Sequence, residues 1–421
     1  MTIPRLNLTT LLVGTEDATA DPPHGLVGCP DCGWIAALPH RSGHGVVHCR
    51  RCDAALERTS ARSIDAALAC SLATFLLLFP ANLLPLLRVS ILGTTHQSVI
   101  ASGVLGIWKQ GWPIVAIIVG LEIVLLPFLR FGLLALVLAA VRMGRRWHWL
   151  GSAFRLAEAL DQWAMVDVFL FGGLIGYGRI APFLPVEIGI GGWAMITVAF
   201  LTLVTRASLE RRAIWRAIAP DVRSRPADAI ACTTCDMVVS GEMAGGRCPR
   251  CGERLTRGRP FATMQALALA LAGFLCYPAA YLYPMEISVQ LGKAQPYTIM
   301  TGVFKLLDAG FWYFAVVIFT ASVAIPLLKL FGIAWFAWSI HAASTSRLRF
   351  KTRLAHAIRE IGRWSHIDVF TVAVFLPLLQ MGGDLSTKVG RGLPAFLAVV
   401  VLTMFASDLF DSRALWRAAE R

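Results

Sequence analysis

The sequence predicts an all-α polytopic membrane protein: two parallel repeats of four transmembrane helices, each preceded by a small four-cysteine module. Three observations predict it. Long apolar runs recur along the chain, matching residues return at an offset of about 200 positions, and eight of the ten cysteines fall in four Cys-x-x-Cys pairs.

The runs come first because they decide the solvent. Of the 421 residues, 56% are hydrophobic and only 15% charged, and the mean hydropathy is +0.63. Such a chain lacks the polar surface to dissolve its apolar mass in water, so lipid surrounds it. The run from Ala66 to Leu87 has no charge, and at about 1.5 Å per residue it crosses a hydrocarbon core of about 30 Å. Further runs lie at Trp112 to Val141, Ala164 to Leu184, Val186 to Val204, Phe261 to Tyr283, Phe311 to Ile340, Ser365 to Met381 and Leu393 to Ala406. Together they predict eight crossings.

The net charge of +13 raises the question of nucleic acid, but the arginines sit in short segments between apolar runs, the pattern of cytoplasmic loops. No nucleic-acid partner is expected. Arg142, Arg145, Arg146 and Arg155 follow the second run; Arg347, Arg349, Lys351, Arg353, Arg359 and Arg363 follow the sixth. Residues 1–28 lack the pattern of a secretory signal. Both termini and the cysteine modules are therefore expected in the cytoplasm. The connections Arg88 to Gly111 and Met285 to Gly310 then lie outside, where β-branched residues predict strands or short helices.

The repeat is visible residue by residue. Ser102-Gly103-Val104 answers to Thr301-Gly302-Val303, Pro127 to Pro326, Arg130 to Lys329, and Arg212-Ala-Ile-Trp215 to Arg413-Ala-Leu-Trp416. Trp163-Ala-Met-Val-Asp167-Val-Phe169 answers to Trp364-Ser-His-Ile-Asp368-Val-Phe370. An even number of crossings per copy makes the repeats parallel. The expected units are a tail over 1–24, modules over 25–58 and 226–258, and membrane repeats over 62–217 and 260–418.

Cys29, Cys32, Cys49 and Cys52 form one cysteine set, and Cys232, Cys235, Cys248 and Cys251 the other. Two knuckles separated by about 12 to 20 residues bring four thiolates to one tetrahedral Zn²⁺, the arrangement of a zinc ribbon. Two structural zincs per chain are expected. Gly33 and Gly252 suit the knuckle turns. Four cysteines leave no open position for a catalytic water, and no βαβ pattern surrounds any pair to suggest thioredoxin-like chemistry. His24, His40, His44 and His48 read as loop residues, and Cys70 and Cys276 as packing residues.

Ionisable groups inside a crossing cost roughly 2.5 to 3.5 kcal/mol each on insertion scales, so each needs a reason. Arg130 and Lys329 follow prolines within the second and sixth runs; Asp167 and Asp368 open the third and seventh. Two readings stay open. Arg130 pairs with Asp167 and Lys329 with Asp368, lowering the burial penalty, or these groups line a cavity that handles a headgroup or relays protons. The second copy fits the latter better, because Lys loses a proton where Arg cannot and Ser365 and His366 replace Ala164 and Met165. Ser322 and Thr403 would complete the network; Asn82 and Glu122 are further polar groups that need partners. The prolines Pro80, Pro85, Pro127, Pro278, Pro284 and Pro326 are expected to kink helices and free backbone carbonyls.

The paired ribbons, the Pro80-Ala-Asn-Leu-Leu-Pro85 segment and the two Trp-x-x-x-Asp-Val-Phe segments resemble the paraquat-inducible protein A family over nearly the whole chain, Cys29 to Trp416. The second copy departs from it, reading Pro278-Ala-Ala-Tyr-Leu-Tyr-Pro284, so no role of Asn82 carries over there. The resemblance implies an inner-membrane partner of a periplasmic MCE-domain protein that moves phospholipid between two membranes, and not an enzyme. The sequence lacks Gly-x-x-x-x-Gly-Lys-[Ser/Thr], so proton coupling through Lys329, Asp368 and Asp167 is the expected extension. The rival readings are a membrane-anchored assembly or sensor protein whose ribbons bind a cytoplasmic partner, and a membrane redox enzyme with metal-free cycling cysteines.

Overall fold

A computed structural model gives the architecture for residues 26–38, 45–59, 64–91, 94–180, 185–220, 229–256, 258–259, 261–290, 293–378 and 385–420. The expected tail and His24, His40 and His44 lie outside these residues. The first cysteine module is two antiparallel hairpins, β1 (Leu26–Gly28) with β2 (Ile35–Ala37) and β3 (Gly45–His48) with β4 (Ala55–Thr59).

The first membrane half opens with α1 (Ile64–Leu83), then a hairpin of β5 (Leu87–Ile91) and β6 (Thr94–Ser98), then the short α2 (Ile100–Lys109). A long helix follows in three pieces: α3 (Pro113–Gly120), a π-helical turn (Leu121–Leu125) and α4 (Leu126–Arg142). Next come α5 (Leu150–Ala159), a 3₁₀ turn, α6 (Val166–Ile180), β7 (Val186–Ile188), α7 (Ile190–Ser208) and α8 (Arg211–Ile218). The second module contributes β8 (Ala229–Ala231) and β9 (Val238–Ser240).

The elements of the second half recur in the same order. They are α9 (Ala262–Leu282), β10 (Glu286–Gln290), β11 (Lys293–Tyr297), α10 (Ile299–Asp308), α11 (Trp312–Phe319), a π-helical turn (Thr320–Ala324) and α12 (Ile325–His341). Then follow α13 (Leu348–Gly362), a 3₁₀ turn (Arg363–His366), α14 (Ile367–Leu378), β12 (Leu385–Val389), α15 (Gly392–Leu409) and α16 (Arg413–Ala418). Each half closes its own three-stranded sheet, in the orders β6-β5-β7 and β11-β10-β12.

Seven helical spans among the described residues are long and apolar enough to cross a membrane. The expected seventh crossing, Ser365 to Met381, is not among them: it is described as the 12-residue α14, and residues 379–381 fall outside the description. The expected fourth crossing also begins later, because Val186–Ile188 pairs as a strand with β5. Strands and a short helix do form in both expected outside connections.

The helices turn small and polar residues inward and large apolar ones outward, as in a bundle dissolved in lipid. Helix α1 buries Ser71 and Thr74 while exposing Leu72, Leu76, Phe79 and Leu83. The buried hydroxyls satisfy themselves on their own helix, Ser71 to the Leu68 carbonyl at 3.0 Å and Thr74 to that of Cys70 at 2.7 Å. The π turns have a covalent cause. Pro127 and Pro326 lack an N–H, so the carbonyls four residues earlier, Ile123 and Ser322, lose their helical donors inside the π turns. The Tyr281 hydroxyl donates to the freed Ser322 carbonyl.

The two halves share one core. Phe169 and Phe370 meet edge to face at 5.9 Å, and Thr371 donates to the Gly172 carbonyl at 3.2 Å. Gly103 is required at this contact, because a Cβ there would lie 2.2 Å from the Ala373 carbonyl oxygen. Gly103→Ala should therefore separate α2 from α14 and destabilise the chain by about 1–3 kcal/mol. A lower unfolding temperature in detergent would show this, and an unchanged one would contradict the packing.

Candidate functional site

Each cysteine set gathers into one buried cluster, with its four sulfurs within 4.8 Å of one another. The turns that bring them together are left-handed just after each knuckle, at Gly33 (φ 74°), Asp53 (φ 67°), Asp236 (φ 56°) and Gly252 (φ 71°). The glycines were legible in the sequence. The aspartates serve equally, because a short polar side chain tolerates that region. Sulfur separations of 3.4 and 3.7 Å in the first cluster and 3.5 and 3.6 Å in the second lie near the edge of a tetrahedron with metal–sulfur bonds of about 2.3 Å.

The protonation chemistry agrees with that geometry. Hydrogen bonds from neighbouring thiols pull Cys29 down to about 2 and lower Cys248, while the same crowding pushes Cys52, Cys235 and Cys251 upward. One thiolate forms readily, and four coexist only around a cation. The donor set therefore fits a thiophilic ion such as Zn²⁺, which would be held by all four sulfurs of a cluster and would supply cross-linking, with no site left for substrate.

The modules dock crosswise. The first packs on the second half, its cysteines sharing a core with Ala266, Leu330, Phe336 and Trp416. The second packs on the first half, against Ala67, Leu138, Phe154 and Trp215. The modules also touch each other through a bridge of Val27 with Met237. Arg413 fastens both, donating to the Pro30 carbonyl at 3.0 Å and meeting Asp236 at 3.4 Å. Burial pushes the Asp236 carboxyl up to about 7, against the pull of Arg413, Arg211 and Arg212.

Inside the bundle the polar residues meet in pairs other than those expected. Arg130 bonds Asp161, not Asp167. Asp167 Oδ2 instead receives Arg206 and Arg363, each at 3.1 Å, and Arg206 also bonds Asp161 at 2.9 Å. Lys329 does not meet Asp368: its ammonium donates to the Gly362 carbonyl at 2.8 Å, and Asp408 acts on it electrostatically. Asp368 accepts a hydrogen bond from Ser322. Ser365 is fully enclosed beside this group. Thr403 and Asn82 turn back on their own helices, to the Val400 carbonyl at 3.0 Å and the Leu78 carbonyl at 2.7 Å.

Matched positions in the two halves explain the difference. With the offset of 201 set by Trp163 and Trp364, Asp161 answers to Gly362 and Arg206 to Ser407. The first half neutralises its buried cation with a carboxylate; the second has a glycine there. A Cβ on Gly362 would lie 2.4 Å from Lys329 Cε, so the missing side chain is what admits the lysine to the carbonyl. Asp161, Arg206, Arg363 and Gly362 were missed in the sequence because each sits at the edge of an apolar run, where a charge reads as a loop residue. Comparing the two copies position by position would have found them.

An apolar cavity of ≈ 170 Å³ lies between α6, α7 and β5, lined by residues including Leu87, Phe169, Tyr177, Met195 and Ile196. It is about large enough for a benzene-sized apolar group.

Comparison with known proteins decides the family. The family model described as Paraquat-inducible protein A matches residues 64–219 and again 263–420. The chain belongs to this family. It is 27% identical over 420 residues to the lipophilic envelope-spanning tunnel protein A of Escherichia coli, covering 99% of this chain and 96% of that one. It is 28% identical over 402 residues to the intermembrane transport protein PqiA of the same organism, covering 92% and 94%. A probable intermembrane transport protein of Haemophilus influenzae is 25% identical, with 95% and 98% covered. No solved structure matches the chain.

If each cluster holds one ion, the purified chain should carry two equivalents of a thiophilic metal, and Cys32→Ser should leave one, measured by plasma mass spectrometry. Two equivalents retained in the variant would contradict the four-sulfur site.

Proposed function

We propose that this chain is the inner-membrane component of an intermembrane phospholipid transport system, exchanging lipid between the bilayer and a periplasmic MCE-domain conduit. The observation that carries the reading is the near full-length likeness to proteins named for intermembrane transport and for an envelope-spanning tunnel. The multi-pass bundle and its apolar cavity beside α6 and α7 support it, since lipid transfer needs an apolar recess that can take part of an acyl chain.

In this reading the two halves are parallel repeats with cytoplasmic zinc ribbons, and the sheets β6-β5-β7 and β11-β10-β12 lie at the periplasmic end, where a conduit would dock. Helix α1 fits this: it starts in the core shared with the second cysteine module and ends at β5 on the opposite side. The zincs clamp the cytoplasmic end, each ribbon gripping the half it does not precede. The role is transport and not catalysis.

The second half is the part that moves charge. Lys329 meets a carbonyl where Arg130 meets a carboxylate, and a lysine so placed can release its proton. Asp368 and Ser322 stand on the neighbouring elements and bond each other, and Asp167 pairs with Arg363 of the second half. Loss and gain of a proton at Lys329 and Asp368 would drive lipid release.

Lys329→Ala and Asp368→Asn should each lower phospholipid transfer from proteoliposomes to a soluble acceptor by about tenfold or more, with normal insertion. Both variants transferring at the unmodified rate would remove the proton coupling. A photoreactive phospholipid should label Tyr177 and Met195 positions; no interior labelling would favour the scaffold reading instead.

A further inference from the structure

Glu122 and His366 stand at positions where the matched residue of the other half is apolar. Glu122 answers to Ala321, and His366 to Met165. Both side chains are enclosed, at 2% and 0% exposure, and they come from different halves. Glu122 sits in the π-helical turn of the first half, and His366 ends the 3₁₀ turn that leads into α14 of the second. The His366 Nε2 lies 3.2 Å from Glu122 Oε1, yet off the line of a hydrogen bond. All four polar atoms of the pair lack hydrogen bonds among the described residues.

We propose that Glu122 and His366 form a proton-binding site at the contact between the two halves, and that its occupancy sets whether that contact stays closed.

The proton count carries the argument. With one dissociable proton the pair has no net charge, whether it is written as carboxylate with imidazolium or as carboxylic acid with imidazole. A second proton leaves an imidazolium without a counter-charge, and removal of the only proton leaves a bare carboxylate. Either charge is enclosed without a hydrogen-bond partner among the described residues and is poorly solvated, and water admitted by parting the π turn from α14 relieves it. Space filling does not require the pair, because Met165 and Ala321 are buried as well as their counterparts. π turns are frequent at functional sites, and this one has the carboxylate only in the first half.

The charged groups on the elements packed around the pair have partners of their own. Arg363 and Asp167 bond each other, Arg130 bonds Asp161 and Asp368 accepts from Ser322. Asp408 on α15 lies in the field of Arg359 and Lys329. Lys109 closes the far end of α2. The pair therefore answers chiefly to its own proton. Its position at the half-to-half contact lets that proton act on the geometry of the bundle, and its use in lipid transfer rests on the transport reading above.

Infrared difference spectra of the full chain in phosphatidylcholine vesicles test the site as pH is stepped between about 5 and 8. A protonated-carboxyl stretch and an imidazole ring mode should titrate in the unmodified chain. Glu122→Gln should lose the first, and His366→Gln the second. Glu122→Ala combined with His366→Met installs the residues of the matched positions and keeps the fold testable if the single variants misfold. It should retain the helical circular dichroism and lose both bands. Amide hydrogen exchange over 121–125 and 366–372 should rise about tenfold across the titration and stay flat in the double variant. Spectra or exchange that titrate alike in the unmodified chain and the double variant would overturn the proposal. A chain that titrates as described but moves no lipid would contradict the transport reading and leave this site standing.

Discussion

A charge inside hydrocarbon must find its partner within the protein, and in this chain one seven-residue stretch, Gly362 to Asp368, supplies most of the partners. Its first residue gives a carbonyl to Lys329. Arg363 then reaches across to Asp167 of the other half, His366 meets Glu122, and Asp368 accepts from Ser322. Removing one member of such a buried pair costs roughly 3 to 5 kcal/mol, comparable with the whole stability of many domains. The halves are joined here by electrostatics as well as by the packing of Phe169 on Phe370, and a change of charge in this stretch is felt in both.

The difference between the two halves is what gives the stretch its character. In the first half Arg130, Arg206, Asp161 and Asp167 form an interlocked set that also takes in Arg363. Guanidinium groups hold their protons and their forked geometry, so this side is suited to staying fixed. The second half has Ser407 and Gly362 at the places of one cation and one carboxylate, with Lys329 donating to a carbonyl and Asp368 accepting from a hydroxyl. On the proposed reading, the first half serves as frame and the second as the part able to change protonation. The crosswise cysteine modules tie the two halves together at the end of the bundle that carries them.

Much of this was legible in the sequence, and the boundary of legibility has a physical cause. Apolar runs declare themselves because lipid tolerates little else, and the Cys29 and Cys232 sets declare themselves because four thiolates at that spacing have few other uses. The expected partner of Lys329 was wrong because pattern gives the height of a residue in the bilayer and not its azimuth: Asp368 and Gly362 lie less than two helical turns apart, and only the path of the chain through the 3₁₀ turn decides which faces the lysine. Arg206 and Asp161 were hidden by lying at run ends. The crossover of the modules leaves no local trace at all, since Trp215 and Trp416 look alike and each grips the module that its own half does not follow from.

The account stands on the halves being tied through buried charge, and a double-mutant cycle between Asp167 and Arg363 tests that most directly. Unfolding free energies of the chain with Asp167→Asn, Arg363→Met and both together, measured in one lipid-like detergent, should give a coupling of about 1.5 kcal/mol or more. A coupling near zero would mean that the two side chains do not meet across the halves, and the electrostatic joint would have to be abandoned.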